Sequence, residues 1–194
     1  ETPLLDPGSE VYTARTFSSR RYESGVINSF GHPVPRVEGK LQQTGRKAAA
    51  RIVSTRFEDK EYILVLDLRS AYPVPELEKL ERTFVFSREG SGRLTVTDEA
   101  EFKSPQEFET ALITLLPWRP LDGKNRLAVG SEPCAVAVTA DAGDEKPTVE
   151  ATEIKEDTHG KPPTRLGLKL GRPVTRVKVR LDITPLEPSE ETKK

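Results

Sequence analysis

Apolar and polar side chains alternate along most of the chain beyond residue 48, and the alternation comes in short runs separated by turn residues. Ala48 to Phe57 leads through Glu58-Asp59-Lys60 into Glu61-Tyr62-Ile63-Leu64-Val65-Leu66-Asp67-Leu68, which predicts an antiparallel hairpin. Leu80 to Ser87 reads as the next strand, and Glu89-Gly90-Ser91-Gly92 reverses it into Arg93-Leu94-Thr95-Val96-Thr97-Asp98. Short runs follow at 126–129, 133–139 and 148–154, and 164–170 pairs with 174–183 as a closing hairpin. In that last run Val174, Val177, Val179, Leu181 and Ile183 fall mainly on one face, with Arg176, Lys178, Arg180 and Asp182 on the other, as in a sheet with one wet face. Residues 106–116 fit a helix on propensity and a strand equally well, because Thr110, Ile113 and Thr114 suit either. The expected fold is all-β: a large, mainly antiparallel β-sandwich spanning residues 1–185 as one domain, with 186–194 as a flexible polar tail.

Composition supports many short strands over a helical bundle. Sixteen prolines and 13 glycines punctuate the chain, and no long 3.6-residue period occurs. A net charge of −1 gives no reason to expect nucleic acid or a membrane as partner. The charge is unevenly spread, however. Residues 1–56 carry nine cations against five anions, which suits an anionic polymer as well as it suits an ordinary solvated face. Cys134 is the one cysteine, so no intrachain disulfide forms; its place in the run Cys134-Ala135-Val136-Ala137-Val138 predicts a buried thiol. The chain opens at Glu1 in what reads as the tail of a strand, Pro3-Leu4-Leu5, as expected of a mature fragment or an excised domain with no signal or membrane segment.

The segment upstream of the regular strands carries the candidate chemistry. Leu4-Leu5-Asp6-Pro7-Gly8 ends an apolar run in a turn, and residues 9–47 form a long arginine-rich, glycine-rich stretch. One of the two histidines lies in it, within Asn28-Ser29-Phe30-Gly31-His32-Pro33-Val34-Pro35-Arg36-Val37-Glu38-Gly39-Lys40-Leu41-Gln42. These two motifs together resemble the C-terminal β-sandwich domain of heparinase II/III-like polysaccharide lyases, and Arg82-Thr83-Phe84 with Leu94-Thr95-Val96-Thr97-Asp98 is similar to that family's "R-T-F" and "L-x-V-x-D" strand pair. Pro33 departs from the pattern, standing where many relatives have asparagine.

The resemblance implies that Asp6 and His32 help to hold a zinc ion in the full-length parent, with a third ligand from an upstream H-x-H motif that would fall before Glu1. Two donors fall short of the three or four that zinc takes, so no cofactor is expected in this stretch alone. It also implies cleavage of uronate-containing polysaccharide by β-elimination, with the catalytic tyrosine and histidine mostly on an N-terminal helical toroid of the same chain and one further histidine from the H-x-H motif; no catalytic residue maps here, and the isolated fragment is expected to be inactive. Action in the periplasm or outside the cell follows from the family alone. Candidate contacts to an anionic polysaccharide are Tyr12, Arg15, Arg20, Arg21, Tyr22, Asn28 and Gln42, which combine stacking rings, cationic forks and amides. The competing structural role is that the two tyrosines pin the long loop to the sandwich and the arginines are solvated.

Trp118 is expected to pack at the edge of the core rather than stack on a sugar, and His159 to sit exposed in a loop. Two rivals remain open: a non-catalytic carbohydrate-binding or cell-surface adhesion module, and a structural β domain without a ligand.

Overall fold

In the computed structural model, residues 2–121, 125–158 and 160–187 are described. His159, and the expected tail beyond residue 187, lie outside them. The described residues form twelve strands: β1 (Arg36–Val37), β2 (Arg51–Phe57), β3 (Glu61–Asp67), β4 (Leu77–Ser87), β5 (Arg93–Gln106), β6 (Phe108–Thr114), β7 (Trp118–Pro120), β8 (Arg126–Val129), β9 (Val136–Asp141), β10 (Thr148–Glu153), β11 (Thr164–Lys169) and β12 (Val174–Pro185). They form an eight-stranded sheet of order β2-β3-β4-β5-β12-β9-β8-β7 and a four-stranded sheet of order β1-β6-β11-β10. Every pairing is antiparallel, which makes the fold the two-sheet sandwich that the alternation predicts.

The core lies between the sheets. Leu80, Val96, Ala100, Val179 and Leu181 from the larger sheet meet Phe108, Leu112, Leu166 and Leu168 from the smaller one. Each fully buried side chain such as Phe108 or Leu80 contributes roughly 1.5–3 kcal/mol. In β12 the apolar positions shift phase between Val174 and Val177, and a bulge between Val174 and Arg176 in the pairing with β5 absorbs the extra residue. Trp118 packs against this core, as expected.

Residues 106–116 resolve into the strand β6, and the reason for their ambiguity is visible: all seven residues of β6 are buried. Phe108, Thr110 and Leu112 point between the sheets. On the opposite face Ile113 packs with Val26 and Ile154 in a second apolar cluster, joined by Leu5 and Phe30. The long polar segment thus covers the outer face of the smaller sheet, so β6 has no wet side from which an alternation could be read.

Two expectations are corrected. Pro3-Leu4-Leu5 is not a strand; Leu5 donates a single backbone bond to the Ile113 carbonyl at 3.1 Å. Cys134 is exposed, because β9 starts only at Val136 and the preceding residues form a turn in which the Cys134 N–H bonds the Ser131 carbonyl. Just past β12, the Leu186 N–H donates to the Ala135 carbonyl at 2.9 Å.

Four strands cannot cover eight. Strand β2 is exposed along its whole length, and the row Phe57, Tyr62, Phe86, Leu94 runs across the larger sheet from its edge to the covered core. Phe57 and Phe86 are exposed, and the three rings meet in sequence at centroid distances of 5.5 and 6.4 Å.

Candidate functional site

The turn after Leu5 and the segment after Asn28 bring together the two residues on which the motif resemblance turns. Asp6 Oδ1 accepts the Gly8 N–H at 3.0 Å, closing a turn in which Gly8 takes a φ of +77°. Asn28 Oδ1 accepts the Phe30 N–H at 2.9 Å and starts a short 3₁₀ turn, Ser29–Gly31, that delivers His32 to the same place. There His32 Nδ1 lies 2.8 Å from Asp6 Oδ2. The imidazole is 27% exposed and the carboxylate 54%, so the pair itself adds at most about 1 kcal/mol to stability.

As a metal centre the arrangement is incomplete. Asp6 uses one carboxylate oxygen on a backbone amide and the other on His32, and among the described residues no group of three or more His, Cys, Asp or Glu side chains could hold a metal ion. Two donors do not fit a zinc shell. An apolar crevice between the sheets, lined in part by Leu4, Leu5, Phe84 and Leu94, has Asp6 among its lining residues.

Behind His32 stands a set of buried charges. Arg82 on β4 and Asp98 on β5 face each other in register and form two parallel bonds at 2.6 and 2.7 Å; Thr110 on β6 donates to Asp98 from the opposite sheet at 2.7 Å. Burial works against the Arg82 charge, yet Asp98 outweighs it and holds the guanidinium above its ordinary pKa. On the outer face of the smaller sheet, Arg165 on β11 bonds Glu109 on β6 at 2.8 and 3.0 Å. Here burial prevails and pulls the Arg165 pKa down, with Glu109 opposing. Tyr72, buried and donating its hydroxyl to the Pro35 carbonyl at 2.6 Å, is pushed well above the ordinary phenol range by that burial.

The candidate contact residues separate into two groups. Arg15 is committed to Glu10 and Glu156, and Glu10 is nearly fully buried. Burial alone would raise the Glu10 pKa, but hydrogen bonds from Ser24, Arg15 and Thr16 together lower it. Asn28 caps the turn before His32 and donates to the Tyr22 carbonyl at 3.2 Å; Gln42 donates its side chain to the Tyr72 hydroxyl at 3.3 Å. These three are used by the fold. Tyr12, Arg20, Arg21 and Tyr22 lie at the surface: Arg20 pairs with Glu23, and Arg21 sits over the Tyr22 ring at 5.3 Å. Tyr12 is 69% exposed and meets Phe17, itself 77% exposed, edge to face at 5.3 Å. Phe17 escaped the sequence analysis, although an aromatic residue five positions from Tyr12 in a polar loop was the available signal.

No family model matches the chain, and no curated protein does. Solved structures do match in fold. A crystal structure of heparinase III superposes with a TM-score of 0.68 at 14% identity, covering 95% of this chain and 28% of that one. The heparan sulfate lyase HepC from Pedobacter heparinus gives a TM-score of 0.67 at 12% identity, covering 97% of this chain and 29% of that one. The chain therefore has, nearly end to end, the fold of a portion of these structures, and spans less than a third of their length. Among the described residues, no helix is long and apolar enough to cross a membrane.

Proposed function

We propose that this chain is the β-sandwich part of a heparinase II/III-like polysaccharide lyase, in which residues 1–185 act as one domain closing one side of a cleft for uronate-containing polysaccharide. The observation that carries this is the contact between Asp6 and His32: two residues 26 positions apart, singled out by the motif resemblance, meet at 2.8 Å on a fold shared with heparinase III over 95% of the chain.

β-Elimination needs the uronate carboxylate neutralised, a base for the proton α to it, and an acid for the leaving oxygen. In the proposed protein the base and acid come from a helical domain elsewhere in the same polypeptide, and this chain alone is inactive. Its own contribution is grip. The guanidinium of Arg21, and that of Arg20 on exchanging Glu23 for substrate, can meet carboxylate or sulfate bidentately, while Tyr12 and Tyr22 offer ring faces. The uncovered aromatic row of Phe57, Tyr62 and Phe86 is a natural seat for that other domain, since an exposed apolar surface of this kind marks a contact. A polymeric substrate also puts the protein in the periplasm or outside the cell.

Titrating the chain with heparan sulfate oligosaccharide tests the grip. The R20A/R21A double variant is expected to bind roughly three- to tenfold more weakly at low ionic strength, with the difference shrinking as salt is added. Equal affinity of variant and parent at low salt removes this surface from the cleft.

A further inference from the structure

Six consecutive residues, Phe30 to Pro35, run from within the turn that delivers His32 to just past it, and most of their carbonyls end on buried side chains. Arg165 Nη1 donates to the Phe30 carbonyl at 2.9 Å and to the His32 carbonyl at 3.0 Å, and its Nη2 donates to the Val34 carbonyl at 3.1 Å. Arg82 Nη1 donates to the Pro33 carbonyl, and the Tyr72 hydroxyl takes Pro35. Arg165 is 1% exposed and Arg82 4%. The two arginines come from different sheets and each is locked by its own carboxylate, Glu109 or Asp98, so neither can swing.

Hydrophobic packing alone does not call for this arrangement. A buried ion pair is weak evidence for stability, because apolar side chains of the same volume often serve as well. What an arginine adds is five fixed N–H donors in a plane, enough to hold a carboxylate and several carbonyls together. The surroundings are shaped for it. At Gly167, on β11, an added Cβ would come within 2.9 Å of Glu109 Oε1, so the glycine leaves the carboxylate room to lie under Arg165. The Phe30 ring closes the other side, with the Arg165 guanidinium 5.1 Å from its centroid.

We propose that Arg82 and Arg165 are positioning residues for the Asp6–His32 pair, two guanidinium groups, one from each sheet, that fix the carbonyls of residues 30, 32, 33 and 34 and thereby the direction in which His32 faces Asp6. This rests on taking that pair as part of the functional site. It also assigns a use to the R-T-F and L-x-V-x-D motifs: Arg82 and Asp98 are their charged members, and they meet as one pair behind the histidine.

NMR of the labelled chain tests it without any substrate. In R165K the ammonium can pair Glu109 but cannot span three carbonyls. The strand amides are expected to keep their protection while the His32 and Val34 amides exchange at least about tenfold faster, and the His32 Nδ1 signal is expected to lose the shift given by its bond to Asp6. An R165K chain that is folded, with the His32 amide and ring signals of the parent, overturns the proposal. Should R165K not fold, E109L/R165M restores an apolar pair of similar volume, and the same two outcomes decide. In the unaltered chain, slow rotation of both guanidinium groups is expected, and free rotation of either overturns the proposal directly. None of these readouts depends on glycan binding or cleavage, so their failure leaves the proposed function standing, and its failure leaves them.

Discussion

Replacing Asp98 with alanine is expected to destabilise the chain by about 3–5 kcal/mol, the cost of breaking a buried pair from one side. The Asp98 side chain is 1% exposed, and it binds Nε and Nη2 of Arg82 and the Thr110 hydroxyl. Its loss leaves a guanidinium 4% exposed with only the Pro33 carbonyl and Thr110 as partners. Urea unfolding is the measurement: the midpoint falls while the slope is unchanged, since the same surface is exposed on unfolding. Replacing both members, R82M/D98L, is expected to recover most of the loss, because the site then holds apolar volume rather than an orphaned charge. A loss below about 1 kcal/mol in D98A would mean that water reaches Arg82 and the pair is not buried in solution.

The second large effect is expected at Gly31, in the segment that carries His32. A Cβ there would lie 2.6 Å from the Gly25 carbonyl oxygen and 2.7 Å from both Val26 Cα and the Val26 oxygen. All three are backbone atoms, so no side chain can turn aside, and one of the two chain segments has to move. Gly31→Ala is expected to cost about 3 kcal/mol, at the upper end for overpacking. Because Val26 and Phe30 belong to the apolar cluster that covers β6, the shift spreads to the outer face of the smaller sheet. Gly160, where a Cβ would meet nothing within 4 Å, is the control: Gly160→Ala is expected to stay within about 0.5 kcal/mol of the parent. Similar midpoints for the two variants would mean that residues 25 and 26 do not press on Gly31.

Much of the sandwich was legible in the sequence because the larger sheet has one wet face over most of its area. Where β12 buries Val177, Val179 and Leu181 and exposes Arg176, Lys178 and Arg180, alternation marks both the strand and its inner side. Strand β6 was ambiguous because the segment around Val26 and Phe30 covers its second face, a tertiary fact that no local pattern carries. The buried charges were a different kind of miss. Arg82 is in phase with Leu80 and Phe84, and Asp98 with Val96 and Ala100, so both stand on the apolar side of their strands; two opposite charges out of place in adjacent strands were a readable sign of an internal ion pair. Arg165 offered no such sign, since it is in phase with Gly167 and Lys169 and is buried only because the long segment folds over it.

The site was partly legible for similar reasons. Asp6 and His32 could be paired only through the motif resemblance, as nothing in a separation of 26 residues implies contact. Asn28 and Gln42 were candidate sugar contacts by residue type; in the fold the Asn28 side chain bonds the Tyr22 carbonyl and the Phe30 amide, and the Gln42 side chain bonds the Tyr72 hydroxyl, as happens wherever a long loop must satisfy its own polar groups.

The most direct test of the proposed function is a β-elimination assay on the full-length polypeptide that carries this chain, incubated with heparan sulfate, alginate and other uronate polymers and monitored by the absorbance of the unsaturated uronate. The proposal predicts that this absorbance rises with at least one of them and that the isolated chain produces none. A full-length protein that generates no unsaturated product from any uronate polymer would contradict it.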